Sequence, residues 1–429
     1  MFCDVATPIT QVRYRCAFVT TQGRVGGRRC MNTPPDVPDE PKIGMDSAKQ
    51  SPLDKLLEES DIHARTVPRP ETAPNLAEID GLSEILTLFD EAEAVSAEKR
   101  LLGDDIIINP ERYLEASVRG HYWKAITKNV ETKGQILLLP GFTEFCEKYA
   151  SLADLLVSAG YDVLMLDWPG QGRSGHLGFD PLIVHSDNFE SHRYAVMRLL
   201  QETEMDRAPF HVIGHSMGGY FALHVAQRYA RNVKKLVLCS PMFVPKAPPL
   251  WLVKLLTTVL VGLGRARYHP PFRSYSDFEH IKRFRLNNPL TRDLENYERP
   301  FRLYDHVPSL FRTSPSVGWI KTAFEECEKY SLNAAWLREI SASTLLCLPG
   351  DERVVDSAAT MSMVAHLRQC RTIHFHEARH ELFAELPEVR RRLMANILTF
   401  LEEDDDVMRQ PAAVSQPMDD MEDGHLDEY

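Results

Sequence analysis

From about residue 104 the chain alternates between short apolar runs and longer amphipathic stretches. The runs include Ile106-Ile-Ile, Ile136-Leu-Leu-Leu, Val163-Leu-Met-Leu, Phe210-His-Val-Ile, Leu236-Val-Leu-Cys, Thr344-Leu-Leu-Cys-Leu and Thr372-Ile-His-Phe. Between them lie helical candidates at 149–159, 189–202, 220–229, 358–367 and 386–401. Runs this short, separated by helices of ten or more residues, predict βαβ units and an α/β fold with a mostly parallel sheet covered by helices on both faces. Residues 242–340 break the alternation, with no clear strand and many aromatic and proline residues. They read as an inserted helical cap, in which Trp251, Leu252, Leu255, Leu256, Val259, Leu260, Phe301, Phe311 and Trp319 are expected chiefly to pack the cap against the sheet.

The flanks follow other patterns. Residues 1–75 are rich in proline and charge and read as a disordered leader, and Leu82, Ile85, Leu86 and Phe89 recur at helical spacing in an N-terminal helical extension at 76–103. The expected plan is then a core in two parts, 104–241 and 341–402, a cap at 242–340 and an acidic disordered tail at 403–429.

The 429 residues are 44% hydrophobic and 26% charged, enough apolar material for a large core, which excludes a wholly disordered or collagen-like chain. From Glu402 onward eleven acids face Arg409 alone, so the C-terminal end carries −10 of the formal −12. The remainder is nearly neutral, with no basic field to recruit nucleic acid. Eight cysteines, three of them in the first thirty residues, do not form a disulfide framework; Cys239 and Cys347 sit in apolar runs as small hydrophobes. No stretch reaches the roughly 18 apolar residues of a membrane span, so a cytoplasmic protein is expected, peripheral at most to the inner face of the membrane. The Arg-rich first thirty residues lack a continuous apolar segment; a transit-peptide-like leader and an upstream start codon, with Met45 as initiator, are the two readings.

Gly214-His-Ser-Met-Gly is a G-x-S-x-G string between the run at 210–213 and a helical pattern beginning near Tyr220. A serine on such a strand-to-helix turn is held above the sheet's carboxyl edge, beside a helix N-terminus that favours developing negative charge. A glycine-rich phosphate turn would need a pattern that is absent. Ser216 is therefore the candidate nucleophile. A serine hydroxyl needs a histidine to take its proton and a carboxylate to orient that histidine, and on this type of sheet the order is serine, acid, histidine. His380 follows the strand at 372–375 and is the candidate base, whereas His374 and His376 share a strand face and read as structural. Asp351 and Glu352 follow the strand at 344–348; being adjacent, they cannot both point at one imidazole, and Asp356 reads as the cap of the next helix. The candidate oxyanion donors are the Met217 N–H, directly after the nucleophile, and the Phe142 N–H, in the turn that Gly141 permits after the strand at 136–139.

Leu139-Pro-Gly-Phe-Thr-Glu-Phe-Cys-Glu-Lys-Tyr, Leu166-Asp-Trp-Pro-Gly-Gln-Gly-Arg-Ser-Gly, Gly214-His-Ser-Met-Gly-Gly, Ser240-Pro-Met and Asn288-Pro-Leu-Thr-Arg-Asp occur in this order. Over roughly 104–402 the chain thereby resembles the α/β-hydrolase branch of bacterial lysophospholipases and monoacylglycerol lipases, also labelled serine aminopeptidase-like. The resemblance implies Ser216 and His380 as nucleophile and base, with an acid directly before the Arg353-Val-Val triplet. That position holds Glu352 where the family usually has aspartate, and Glu352 is preferred to Asp351. A second departure is Pro140, where monoacylglycerol lipases often have histidine.

The resemblance implies a serine esterase acting on single-chain lipid esters, lysophospholipid or monoacylglycerol. The cap would shelter the acyl chain and make transient contact with a membrane surface. A peptidase would need cap carboxylates to hold a free amine; Glu325, Glu326 and Glu328 are available there but read as a solvated helix face. A catalytically silent hydrolase fold used for binding is the non-enzymatic alternative. No metal or other cofactor is expected, because no ligand set has metal spacing and a serine mechanism needs none.

Overall fold

The computed structural model describes residues 103–125, 132–177, 180–247, 249–271 and 284–404. The leader and nearly all of the helical extension and acidic tail lie outside the described residues.

Eight strands form one mixed sheet: β1 (Asp104–Ile108), β2 (Val118–Trp123), β3 (Gly134–Leu139), β4 (Tyr161–Leu166), β6 (Phe210–His215), β7 (Val233–Cys239), β9 (Ser343–Pro349) and β10 (Cys370–Phe375). Their order is β1-β2-β4-β3-β6-β7-β9-β10. From β4 onward every pairing is parallel, whereas β2 runs antiparallel to both β1 and β4. Two short strands, β5 (Ile183–Val184) and β8 (Ser314–Pro315), pair with each other elsewhere. The α/β class read from the hydrophobic pattern is the observed one. The expectation that 242–340 contains no strand is corrected by β8, whose two residues are too few for any periodic signal.

The alternating side chains of the central strands feed two cores. Leu137, Leu139, Val212, Leu236, Leu238, Leu346 and Leu348 face one layer, with α2 (Glu190–Glu202) and α3 (Met217–Arg228). Ile136, Leu138, Ile213, Val237, Cys239, Leu345 and Cys347 face the other, with α1 (Ala150–Ser158) and the C-terminal helix at Pro387–Glu402. Each fully buried aliphatic side chain contributes about 1.5–3 kcal/mol of transfer free energy, so burial on both faces accounts for the unbroken apolar runs.

The apolar pattern does not mark β2, whose Val-Arg-Gly-His-Tyr-Trp has no clean period. Arg119 and His121 are buried there because their partners come from elsewhere: Arg119 meets Asp105 at 2.8 Å, Glu147 at 2.9 Å and Asp167 at 3.3 Å, and His121 Nδ1 lies 2.6 Å from Asp105. A buried guanidinium is tolerated only with such partners.

Between β7 and β9 run α4 (Leu250–Gly262), α5 (Leu294–His306), α6 (Val317–Lys329) and α7 (Ala334–Leu337); after β9 come α8 (Ser357–Val364) and α9, the helix at Pro387–Glu402. Helix starts carry their sequence signals: Asp293 accepts from the Asn296 N–H, Ser316 from Trp319 and Asp356 from Ala359. Trp319 is buried, and Leu252, Leu260, Phe301 and Phe311 are half-buried. Four residues expected to pack do not: Trp251 is 67% exposed, and Leu255, Leu256 and Val259 are more than half exposed.

Candidate active site

Strand β6 ends at His215 and α3 begins at Met217, so Ser216 is the whole of the turn between them, with φ 51° and ψ −117°. That conformation is strained for a residue with a side chain. The flanking glycines make room for it. A Cβ at Gly214 would stand 2.6 Å from the Gly218 carbonyl oxygen, and one at Gly218 would stand 2.0 Å from that of Leu139. The second contact also shows that the start of α3 touches the end of β3, which brings the Met217 and Pro140–Thr143 backbones to one place.

His380 lies just beyond β10 and Glu352 just beyond β9, on the carboxyl edge that holds Ser216. Ser216 Oγ is 2.9 Å from His380 Nε2, and His380 Nδ1 is 2.8 Å from Glu352 Oε2 and 3.0 Å from Oε1. All three side chains are buried. An ionised carboxylate only accepts, so the Nδ1 proton faces Glu352, and Nε2 is left to accept from the serine hydroxyl. Burial pushes the Glu352 carboxyl up, but the hydrogen bond and charge of His380, with the Val354 and Val355 amides, outweigh it and hold the group below its ordinary value. The Ser240 hydroxyl donates to the His380 carbonyl at 2.7 Å, and the Met242 N–H donates to the Ser216 carbonyl at 2.9 Å, so the turn after β7 braces both ends of the pair.

Asp351 takes no part in this chain. Its carboxylate receives Arg353 at 2.7 and 2.8 Å, Arg292 at 3.3 Å and Arg379 at 3.4 Å. Asp356 caps α8, and His374 and His376 stack on each other at 5.9 Å. Of the candidates, the structure brings Ser216, His380 and Glu352 within hydrogen-bond reach and leaves Asp351 and Asp356 with other partners.

The Pro140–Thr143 turn is fixed from several sides. Trp168 Nε1 donates to the Pro140 carbonyl at 2.8 Å, the Gly141 N–H donates to Glu144 and the Thr143 N–H donates to Gln171. Thr143 itself has φ 64°. The amides on either side of Phe142 are thus committed, while that of Phe142 has no acceptor among the described residues. Met217 is the first residue of α3, where an N–H has no intrahelical acceptor. Glu144 is buried, receives Lys148 at 2.7 Å and the Tyr149 hydroxyl at 2.6 Å, and those neighbours overcome its burial to hold the carboxyl low.

Sequence reasoning missed Glu144, Gln171, Trp168 and Ser240 as supports, although all four lie in the quoted motifs. In the 166–175 motif, Asp167 is fully buried and accepts from the Cys146 and Arg173 amides, each at 2.8 Å. Gly172, at φ 53°, leaves the space in which a Cβ would meet that carboxylate at 2.4 Å. Of the cap carboxylates expected on a solvated face, Glu325 and Glu328 are exposed and pair with Lys321 and Lys254, whereas Glu326 turns inward to Arg193 and the Tyr220 hydroxyl. Among the described residues no group of three or more His, Cys, Asp or Glu side chains is arranged to hold a metal ion.

Comparison with known proteins adds three findings. The family model described as "Serine aminopeptidase, S33" matches residues 130–387. Lysophospholipase L2 of Escherichia coli (strain K12) is 30% identical over 230 residues, covering 52% of this chain and 64% of that protein, so the chain spans less than two thirds of that relative's length. Among solved structures, a soluble variant of the Saccharomyces cerevisiae monoglyceride lipase, in complex with a substrate analog, superposes with a TM-score of 0.53 at 17% identity over 70% of this chain and 95% of that one. The Paleococcus ferrophilus monoacylglycerol lipase gives 0.51 at 21% identity over 66% and 98%. These two likenesses establish the fold.

Proposed function

The chain belongs to the serine aminopeptidase S33 family of α/β-hydrolases, and from that premise we propose that it is a serine esterase cleaving single-chain lipid esters, lysophospholipid or monoacylglycerol, through an acyl-enzyme. The observation that carries the reading is the hydrogen-bonded sequence Ser216–His380–Glu352. Ser216 Oγ attacks the ester carbonyl while its proton passes to His380 Nε2, and Glu352 steadies the imidazolium. The oxyanion accepts from the Met217 and Phe142 N–H groups. His380 then protonates the leaving alcohol, and a water activated by the same imidazole releases the fatty acid.

In this reading residues 104–241 and 341–402 are the hydrolytic core and 242–340 the cap that shelters the acyl chain. The lipid substrate class is supported by the lysophospholipase relative. On the cap, Trp251, Leu255, Val259 and Leu263 recur every fourth residue and form an exposed apolar stripe, with Arg265 beside it. That face would contact a membrane surface during substrate uptake. No described helix is long and apolar enough to cross a membrane.

The test is labelling by a fluorophosphonate together with hydrolysis of matched lysophospholipid, monoacylglycerol and aminoacyl substrates. Labelling of the wild type, none of Ser216→Ala, and turnover of the lipid esters above the aminoacyl substrate are expected. An unlabelled wild type would sink the serine mechanism; preference for the aminoacyl substrate would replace the lipid reading with a peptidase.

A further inference from the structure

The loop carrying His380 and the turn carrying Glu352 are bound to one short segment of the cap, residues 285–293. The Glu381 N–H donates to the Leu290 carbonyl at 2.8 Å, and the Thr291 hydroxyl donates to the Ala384 carbonyl at 2.7 Å. The Glu385 carboxylate, fully buried, accepts from the Arg379 N–H at 2.7 Å and the Arg292 N–H at 3.3 Å, so it joins the two backbones through one side chain. Arg379, buried and next in sequence to His380, donates to the Leu286 carbonyl at 2.6 Å and the Thr291 carbonyl at 3.3 Å. Arg353, next to Glu352, donates to the Asn287 carbonyl at 3.1 Å. The segment is itself a fixed turn, because buried Asn288 donates to the Arg285 and Thr291 carbonyls and accepts from the Leu290 and Thr291 amides.

Asp351 stands where these pieces meet and holds Arg353 of the acid's turn, Arg379 of the histidine's loop and Arg292 of the cap segment. An isolated exposed ion pair contributes little. Here one carboxylate orients three guanidiniums, two of which also donate to cap carbonyls.

We propose that Asp351 and Thr291 are positioning residues, through which the seating of cap segment 285–293 sets the aim of the His380 imidazole. The inference rests on the proposed role of His380. It gives the carboxylate beside Glu352 a role of its own and makes the cap's attachment part of the catalytic geometry. A cap segment that lifts would loosen Arg379 and Glu381 on either side of His380, and a displacement of about 1 Å at the base costs up to about a hundredfold in rate.

The experiment compares Asp351→Asn, Thr291→Val and Thr291→Ser on a short, water-soluble aryl ester, with hydrogen exchange of the 376–385 backbone measured on the same proteins. The first two variants should lose about tenfold in kcat at unchanged KM, with faster exchange confined to 376–385 and the cap segment. Thr291→Ser, which keeps the hydroxyl, should restore both. Unchanged kcat and exchange in Asp351→Asn and Thr291→Val would overturn the proposal, as would a uniform rise in exchange across the sheet, which marks general destabilisation. Should the wild type neither turn over the ester nor accept the fluorophosphonate, the esterase reading fails, and the exchange measurement alone decides whether the clamp exists.

Discussion

Glu352 and Asp351 are neighbours with the same charge, yet one faces an imidazole and the other three guanidiniums. In Glu352→Gln the amide oxygen is held by the Val354 and Val355 N–H groups that now donate to Glu352 Oε1, which turns the amide NH2 toward Nδ1 and leaves the imidazole in the unproductive tautomer. By analogy with triads that lose this carboxylate, kcat on a soluble ester should fall by about 10³–10⁴, far more than in Asp351→Asn. Equal losses in the two variants would contradict the separate roles proposed for them. Residue identities at the strand ends were legible in the sequence, because the strand pattern put Ser216, Glu352 and His380 at one edge. The strand pattern alone left positions 351 and 352 open, since the choice depends on how the turn after β9 aims adjacent side chains; the resemblance, through the Arg353-Val-Val triplet, favoured Glu352. Glu144 was hidden, its partners Lys148 and Tyr149 lying in a single 3-10 turn too short to have a periodic signature.

At the level of elements, an unbroken apolar run marks a strand buried on both faces only where no polar group is buried within it. That held for the central strands and failed for β2, where Arg119 and His121 point inward because Asp105, Glu147 and Asp167 converge from other elements. In the cap the failure ran the other way. The apolar spacing of α4 signalled a helix correctly, but periodicity gives no sign of whether a stripe faces protein or solvent. The exposed stripe belongs to α4, whose inner face instead carries buried Thr257. Trp251→Ser with Leu255→Ser should therefore reduce binding to sedimented phosphatidylglycerol vesicles by about tenfold or more, with kcat/KM on a soluble ester unchanged. Undiminished vesicle binding would remove α4 from the membrane-facing surface.

For the whole molecule, pH acts through groups whose folded pKa lies below the unfolded one. His192, buried, and His224, half-buried, lie among aromatic rings, and desolvation holds each at about 3 against an ordinary 6.5. Their contribution to stability is full above pH 6.5 and is lost as pH falls toward 3, because the unfolded chain takes up the proton first. Glu352 adds a loss with the same sign below about 4.5. Urea midpoints should therefore begin to fall below pH 6.5, before carboxylates titrate. His192→Phe, which keeps the ring stacked on Phe221, should lessen the fall between pH 6.5 and 4.5 while staying within about 1 kcal/mol of the wild type at pH 7.5. An unaltered pH profile in that variant would show that His192 is not a source of the acid sensitivity.

The two margins of the sheet are unlike. β10 leads into the histidine loop and its cap fastenings, whereas β1, with most of its side chains exposed, pairs with β2 alone and is otherwise held by the ion pairs around Arg119 and the packing of Ile106 and Ile108 on the core. Fraying should start at the β1 margin, and rising salt should bring it on sooner by screening the half-exposed Asp105. An ester assay run alongside hydrogen exchange in mild urea would then find full turnover after the amides of 104–108 have opened, leaving a partly unzipped molecule that still works.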